Sequence, residues 1–201
     1  MFMQDHARLT ALSAPVVLPR HMPMTQIATG LIAGTLLETC NGWRAVETLG
    51  IGDAVQTLDG GLARILGLDR QTLRAGAMAS LIKIDGGHYD TCSDLTLLPG
   101  QHLLLDTLSD TGVNGAPFAM ISAATLLACP GARRQAVCTD IQVITPMFAD
   151  EEVVYANSGL LLHCPGIAGG AGRNPETSFF PRLDALQARH FLQSRAMLFA
   201  A

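Results

Sequence analysis

With 201 residues, of which 49% are apolar and only 15% charged, the chain can bury one sizeable core and is too hydrophobic to remain disordered. A formal net charge of -4, with no Lys/Arg cluster interleaved with aromatics, excludes the basic footprint of a nucleic-acid binder. No stretch approaches the roughly 18 apolar residues of a membrane span, and residues 9–18, broken by Pro15, make no convincing signal peptide, so a soluble, cytoplasmic protein is expected.

Residues 1–28 carry Pro15, Pro19 and Pro23 without a sustained period and read as a loosely held arm. The pattern changes at Thr35. Residues 35–39 and 43–46 flank Cys40-Asn41-Gly42, and Asn-Gly predicts a tight hairpin because both residues tolerate positive φ. A turn at Gly52-Asp53 launches a second hairpin, residues 54–58 returning through Asp59-Gly60-Gly61 into 62–68. Short strands are predicted at 80–84, 103–106, 118–121, 141–144 and 153–155, each bounded by turn-forming residues. Residues 122–127 suit a single helical turn feeding Pro130-Gly131, which periodicity over so few residues does not decide. The Gly/Ala-rich run 166–172 marks the end of a β domain. Beyond it, Pro181 suits a first helical turn, and Leu183, Leu186, Phe191, Leu192 and Phe199 predict an amphipathic C-terminal helix. The expected organisation is an arm (1–28), an all-β domain (29–166), a Gly-rich linker (167–180) and a helix (181–201).

Cys40, Cys92, Cys129, Cys138 and Cys164 are odd in number and lack CxxC spacing, which suits reduced thiols better than disulfides or a zinc site. No GxGxxG or P-loop fingerprint is present, so no cofactor and no metal are expected.

The order Gly34-Thr35, Gly42-Trp43, Val46-Glu47, Leu49, Gly52-Asp53, Val55, Thr57 and Asp59-Gly60-Gly61 resembles the opening of the bacterial Hedgehog/intein (Hint) domain family. Pro99-Gly100-Gln101-His102 resembles the block ending in that family's histidine, and residues 148–159 a downstream block. The resemblance spans 29–166. It implies a compact, horseshoe-like Hint β-fold in which the chain start, the histidine block and the downstream block converge.

Active relatives attack the peptide bond before their first residue with a Cys or Ser side chain, and the histidine block supplies an acid for the departing amide. The matching nucleophile position, five residues before Thr35, is Gly30, which has no side chain to attack with. Thr29 and Cys40 are weak substitutes, since a shifted nucleophile faces a different carbonyl. His102 is the family-type residue that survives, although Pro99 stands where a Thr or Ser usually lies. Asp150-Glu151-Glu152 replaces a second histidine, which makes Asp150 the residue at that position; such a run alone reads as a solvated turn. His163-Cys164 lacks the Asn an intein end requires.

The resemblance therefore implies a catalytically degenerate Hint protein acting as a binding or assembly module, with a protein partner or self-association, no nucleic acid and no membrane span. The alternative is residual autoprocessing near residues 29–30 by a substitute nucleophile with His102. A small-molecule enzyme on the same scaffold finds no fingerprint in the sequence.

Overall fold

The computed structural model describes residues 27–76, 80–89, 91–107, 117–157, 159–167 and 178–199. The expected arm lies almost wholly outside the described residues, as does most of the Gly-rich stretch. Strands run in chain order as β1 (Leu31–Ile32), β2 (Leu36–Thr39), β3 (Gly42–Ala45), β4 (Ala54–Thr57), β5 (Gly61–Arg64), β6 (Gly67–Leu73) and β7 (Ser80–Ile84). They continue as β8 (Leu95–Leu97), β9 (His102–Asp106), β10 (Phe118–Ser122), β11 (Ala132–Ala136), β12 (Ile141–Met147), β13 (Glu152–Ala156) and β14 (Leu160–Cys164), before helix α1 (Ala185–Phe199).

Two sheets result. The first has the order β11-β7-β8-β1-β12-β6, and the second β10-β9-β14-β13-β2-β4-β5, with β3 on the flank of β2. Leu31, Ile82, Leu97 and Ile144 of the first sheet share one buried cluster with Leu37, Val55, Leu103 and Leu162 of the second. Because side chains alternate along a strand, Leu104, beside Leu103, and Val153, beside Val154 of the same cluster, face the other way. There they meet Met120 and Phe180 in a separate cluster on the outside of the second sheet. Asn157, buried and with φ of 47°, ties distant segments together. Its Oδ1 accepts from Leu36 N–H (2.9 Å), and its Nδ2 donates to Ser93 Oγ (3.1 Å).

The first hairpin forms as predicted, but its loop is Cys40-Asn41, with Thr39 paired to Gly42. Gly42 takes a φ of 88°, whereas Asn41 is not left-handed. Thr39 explains the shift: its hydroxyl accepts from Asn41 N–H (3.1 Å) and donates to Gly42 O (2.7 Å), closing the turn one residue early. The returning strand of the second hairpin ends at Arg64. Gly67 then starts β6, which pairs with β12 in the other sheet. Residues 123–128 form a 3₁₀ turn.

Pro181 is not in the helix, a correction to the sequence reading. Met120 N–H donates to Pro181 O (2.8 Å) and Leu183 N–H donates to Met120 O (2.9 Å), so residues 181–183 lie extended along β10. The helix starts after Asp184, whose Oδ1 accepts from Leu186 and Gln187 N–H (2.8 Å each) while Gln187 Oε1 accepts from Asp184 N–H (3.0 Å). Asp184→Ala should therefore lower stability by about 1 kcal/mol in urea unfolding, against no change if the cap is incidental. Ala188, Phe191 and Leu192 are buried, whereas Leu186, expected on the apolar face, is 77% exposed. Two positions before Ala188 is about 200° around the helix, which turns Leu186 outward.

Candidate functional site

The motif residues converge where the two sheets meet. Strand β1 is central in the first sheet, between β8 and β12, so Gly30 enters the middle of that sheet and not its edge. The chain passing from β8 to β9 crosses into the second sheet and carries Gln101 and His102 with it. Together with Thr29 and Gly30 they line a pocket of roughly 160 Å³. Its remaining walls are the end of β12 (Thr145, Pro146), residues 163–165 at the end of β14, Leu31 and Arg182.

Gln101, 2% exposed, joins the walls. Its Oε1 accepts from Gly30 N–H (3.0 Å), and its Nε2 donates to His163 O (2.8 Å) and His102 O (3.2 Å). An amide suits this place because it offers an acceptor on one side and two donors on the other. Alongside, Gly100 N–H donates to Ala28 O (2.9 Å), fixing the peptide just before Thr29.

The rings of His102 and His163 lie edge to face with centroids 6.3 Å apart. Burial, and then the positive charge of Arg182, hold His102 down at about 4. Burial also lowers His163, outweighing the opposing pull of Glu151. His163 is thus neutral near pH 7, and its Nε2 lies 3.2 Å from Glu151 Oε2 as a hydrogen-bond donor. Burial favours the protonated form of Glu151, but Phe179 N–H, His163 and the Ser178 hydroxyl (3.1 Å) more than offset it, so the carboxyl stays ionised. Glu151 thereby anchors residues 178–183 beside the histidines.

A ring-proton titration should place the midpoint of His102 near 4, well below its ordinary 6.5. Between those values the unfolded chain binds the extra proton, so this stability is present above pH 6.5 and is lost as pH falls toward 4. A midpoint at 6.5 would contradict the burial.

Gly30 has a φ of 121°, and a Cβ built there would lie 2.5 Å from Val143 Cγ1 and 2.9 Å from Thr145 Oγ1. The position is closed to a side chain as well as lacking one. A contact of 2.5 Å is far inside carbon–carbon van der Waals separation, about 3.5–4 Å.

Of the residues singled out by sequence, Thr29, Gly30 and His102 meet in this pocket, and Asp150 and Cys40 do not line it. Asp150 is exposed in the turn before β13, while its neighbour Glu151 reaches the site, so that run is not simply a solvated turn. His163 and Cys164 line the pocket too, but Cys164 packs into the main core and burial pushes its thiol up to about 12, leaving it protonated. Gln101, Thr145 and Arg182 were not singled out. Gln101 alone had a local signal, its place beside His102. Among the described residues, no three His, Cys, Asp or Glu side chains gather as metal ligands, and no helix is long and apolar enough to cross a membrane.

A family model described as the Hint domain matches residues 29–161, more than half of the chain. A search of curated proteins gives no match. Among solved structures, the chain is similar to a bacterial intein-like domain from Clostridium thermocellum, at 13% identity and a TM-score of 0.46, covering 67% of this chain and 98% of that one. It is also similar to the MchDnaB-1 intein (N145AA) at 16% identity and a TM-score of 0.41, covering 66% and 98%. For a gp41-1 intein variant the identity is 14% and the TM-score 0.42, with the same 66% and 98%. On the strength of the match over residues 29–161, this chain belongs to the Hint domain family.

Proposed function

We propose that this chain is a non-processing Hint domain, in which the pocket around Gly30 serves binding instead of peptide-bond rearrangement. The observation that carries this reading is the backbone at Gly30: a φ of 121° and a neighbour 2.5 Å from any Cβ leave no place for a nucleophile. In a comparable acyl-transfer site, removing the nucleophile costs on the order of a million-fold in rate. The acid is impaired as well. A histidine held at about 4 is neutral near pH 7 and has no proton to spare for a departing amide nitrogen.

One feature favours residual processing. Thr29 lines the pocket with His102, and the carbonyl its hydroxyl would attack, that of Ala28, already accepts a hydrogen bond from Gly100 N–H. A single donor and a weak base activate a threonine hydroxyl poorly, so binding is the better-supported role. The test is intact-mass spectrometry of the chain behind a stable N-terminal tag, incubated with and without hydroxylamine or a thiol. An unchanged mass is expected. Release of a fragment ending at Ala28 would establish Thr29 as a working nucleophile and overturn the reading.

A further inference from the structure

One wall of the pocket carries a solvent-exposed cation with no partner among the described residues. Arg182, placed there by the contacts of residues 181–183 with Met120, has no hydrogen bond or ion pair among the described residues. The hydroxyls of Thr29 and Thr145, which line the same pocket, also have no partner among the described residues. Glu151, the carboxylate hydrogen-bonded to His163, does not line the pocket, and its oxygens are taken by His163, Ser178 and Phe179 N–H. Both histidines are neutral near pH 7, so among the described residues that line the pocket the one charged group is the Arg182 guanidinium.

We propose that the pocket is a binding site for a monocarboxylate. The Arg182 guanidinium takes the carboxylate, the two threonine hydroxyls supply further donors, and Leu31, Pro146 and Pro165 contact a short aliphatic portion. A planar guanidinium matches a carboxylate with two parallel hydrogen bonds. A phosphate dianion would bring a second charge that no other described lining residue offsets. The volume, roughly 160 Å³, suits a short acid or the last residue of a peptide, so the carboxylate comes either from a free small acid or from a peptide C terminus. This inference rests on the non-processing reading, in which the uncleaved peptide around Thr29 and Gly30 forms one wall.

The test titrates the full chain with sodium propionate and, separately, with propionamide, followed by the amide resonances of Gly30, Leu31 and Arg182. Propionate should shift them saturably and propionamide should not. Arg182→Gln should weaken propionate binding about tenfold or more, and Arg182→Lys should retain part of it. In a second arm, the tripeptide Ala-Ala-Gly is compared with its C-terminal amide. Tighter binding of the free acid than of propionate marks a peptide end as the source, and weaker binding marks a small acid. No saturation with propionate, or equal affinity in Arg182→Gln, overturns the site. Intact mass on the same samples separates the two claims: a cleaved chain that binds propionate overturns only the non-processing reading, and an intact chain that does not bind overturns only the carboxylate site.

Discussion

Gly30→Cys, the substitution that returns a thiol to the nucleophile position, is expected to leave the chain uncleaved and to destabilise it by roughly 3 kcal/mol or more. Two costs combine. A side chain at a φ of 121° occupies a backbone region that L-residues rarely adopt, worth about 1–3 kcal/mol. The new Cβ also collides with Val143 Cγ1 and Thr145 Oγ1, and overpacking of this kind costs about 1–3 kcal/mol. Urea unfolding reads the stability, and intact mass reads the chemistry. The collision is separable from the backbone strain. Val143→Ala removes the methyl at 2.5 Å, so the double variant should be less destabilised than the sum of its singles, by on the order of 1 kcal/mol. If Gly30→Cys cleaves at near-parental stability, the closed geometry of the pocket is wrong.

Gln101→Leu should cost about 3 kcal/mol in the same assay, although it keeps the side-chain volume nearly constant. The leucine would strand Gly30 N–H and the His163 carbonyl, which now bond to the Gln101 amide at 3.0 and 2.8 Å. Each buried polar group left unsatisfied costs about 1–3 kcal/mol. Hydrogen exchange at Gly30 should accelerate in parallel, because its amide loses its acceptor. A loss below about 1 kcal/mol, within the ordinary effect of a mild core change, would show that other groups or water satisfy those atoms.

The residues of the pocket differ in how visible they are in the sequence. Gly30 and His102 stood in recognisable blocks, and their meeting in one pocket follows from the order of those blocks along a Hint fold. Arg182 lies 80 residues from His102 in a segment read as helix; it reaches the site only because residues 181–183 pair with β10. Asp150 and Glu151 show a finer limit. They differ by one position, and the hydrogen bond to His163 selects Glu151, which no local pattern could indicate.

Strand recognition divides in the same way. Short apolar segments bounded by turn-forming residues, such as β7 and β13, are legible even though both of their faces are buried, as Leu81 beside Ile82 and Val153 beside Val154 show. Strand β11, Ala-Arg-Arg-Gln-Ala, has no buried face and was missed; its pairing with β7 is what makes it a strand. Strand β1 is two residues long, too short for any period, yet it occupies the centre of a sheet.

The sequence by itself determined the β class, the turns built on Gly and Asp, the membership implied by motif order, and the absence of a side chain at Gly30. These are properties of local conformation and of spacing along the chain. The tertiary structure decided that Gly30 is walled in by Val143 and Thr145, that His102 and His163 are held neutral, and that Arg182 faces them. Those outcomes depend on burial and on charges brought together across distant segments, and such energies exist only once the two sheets have closed around the pocket.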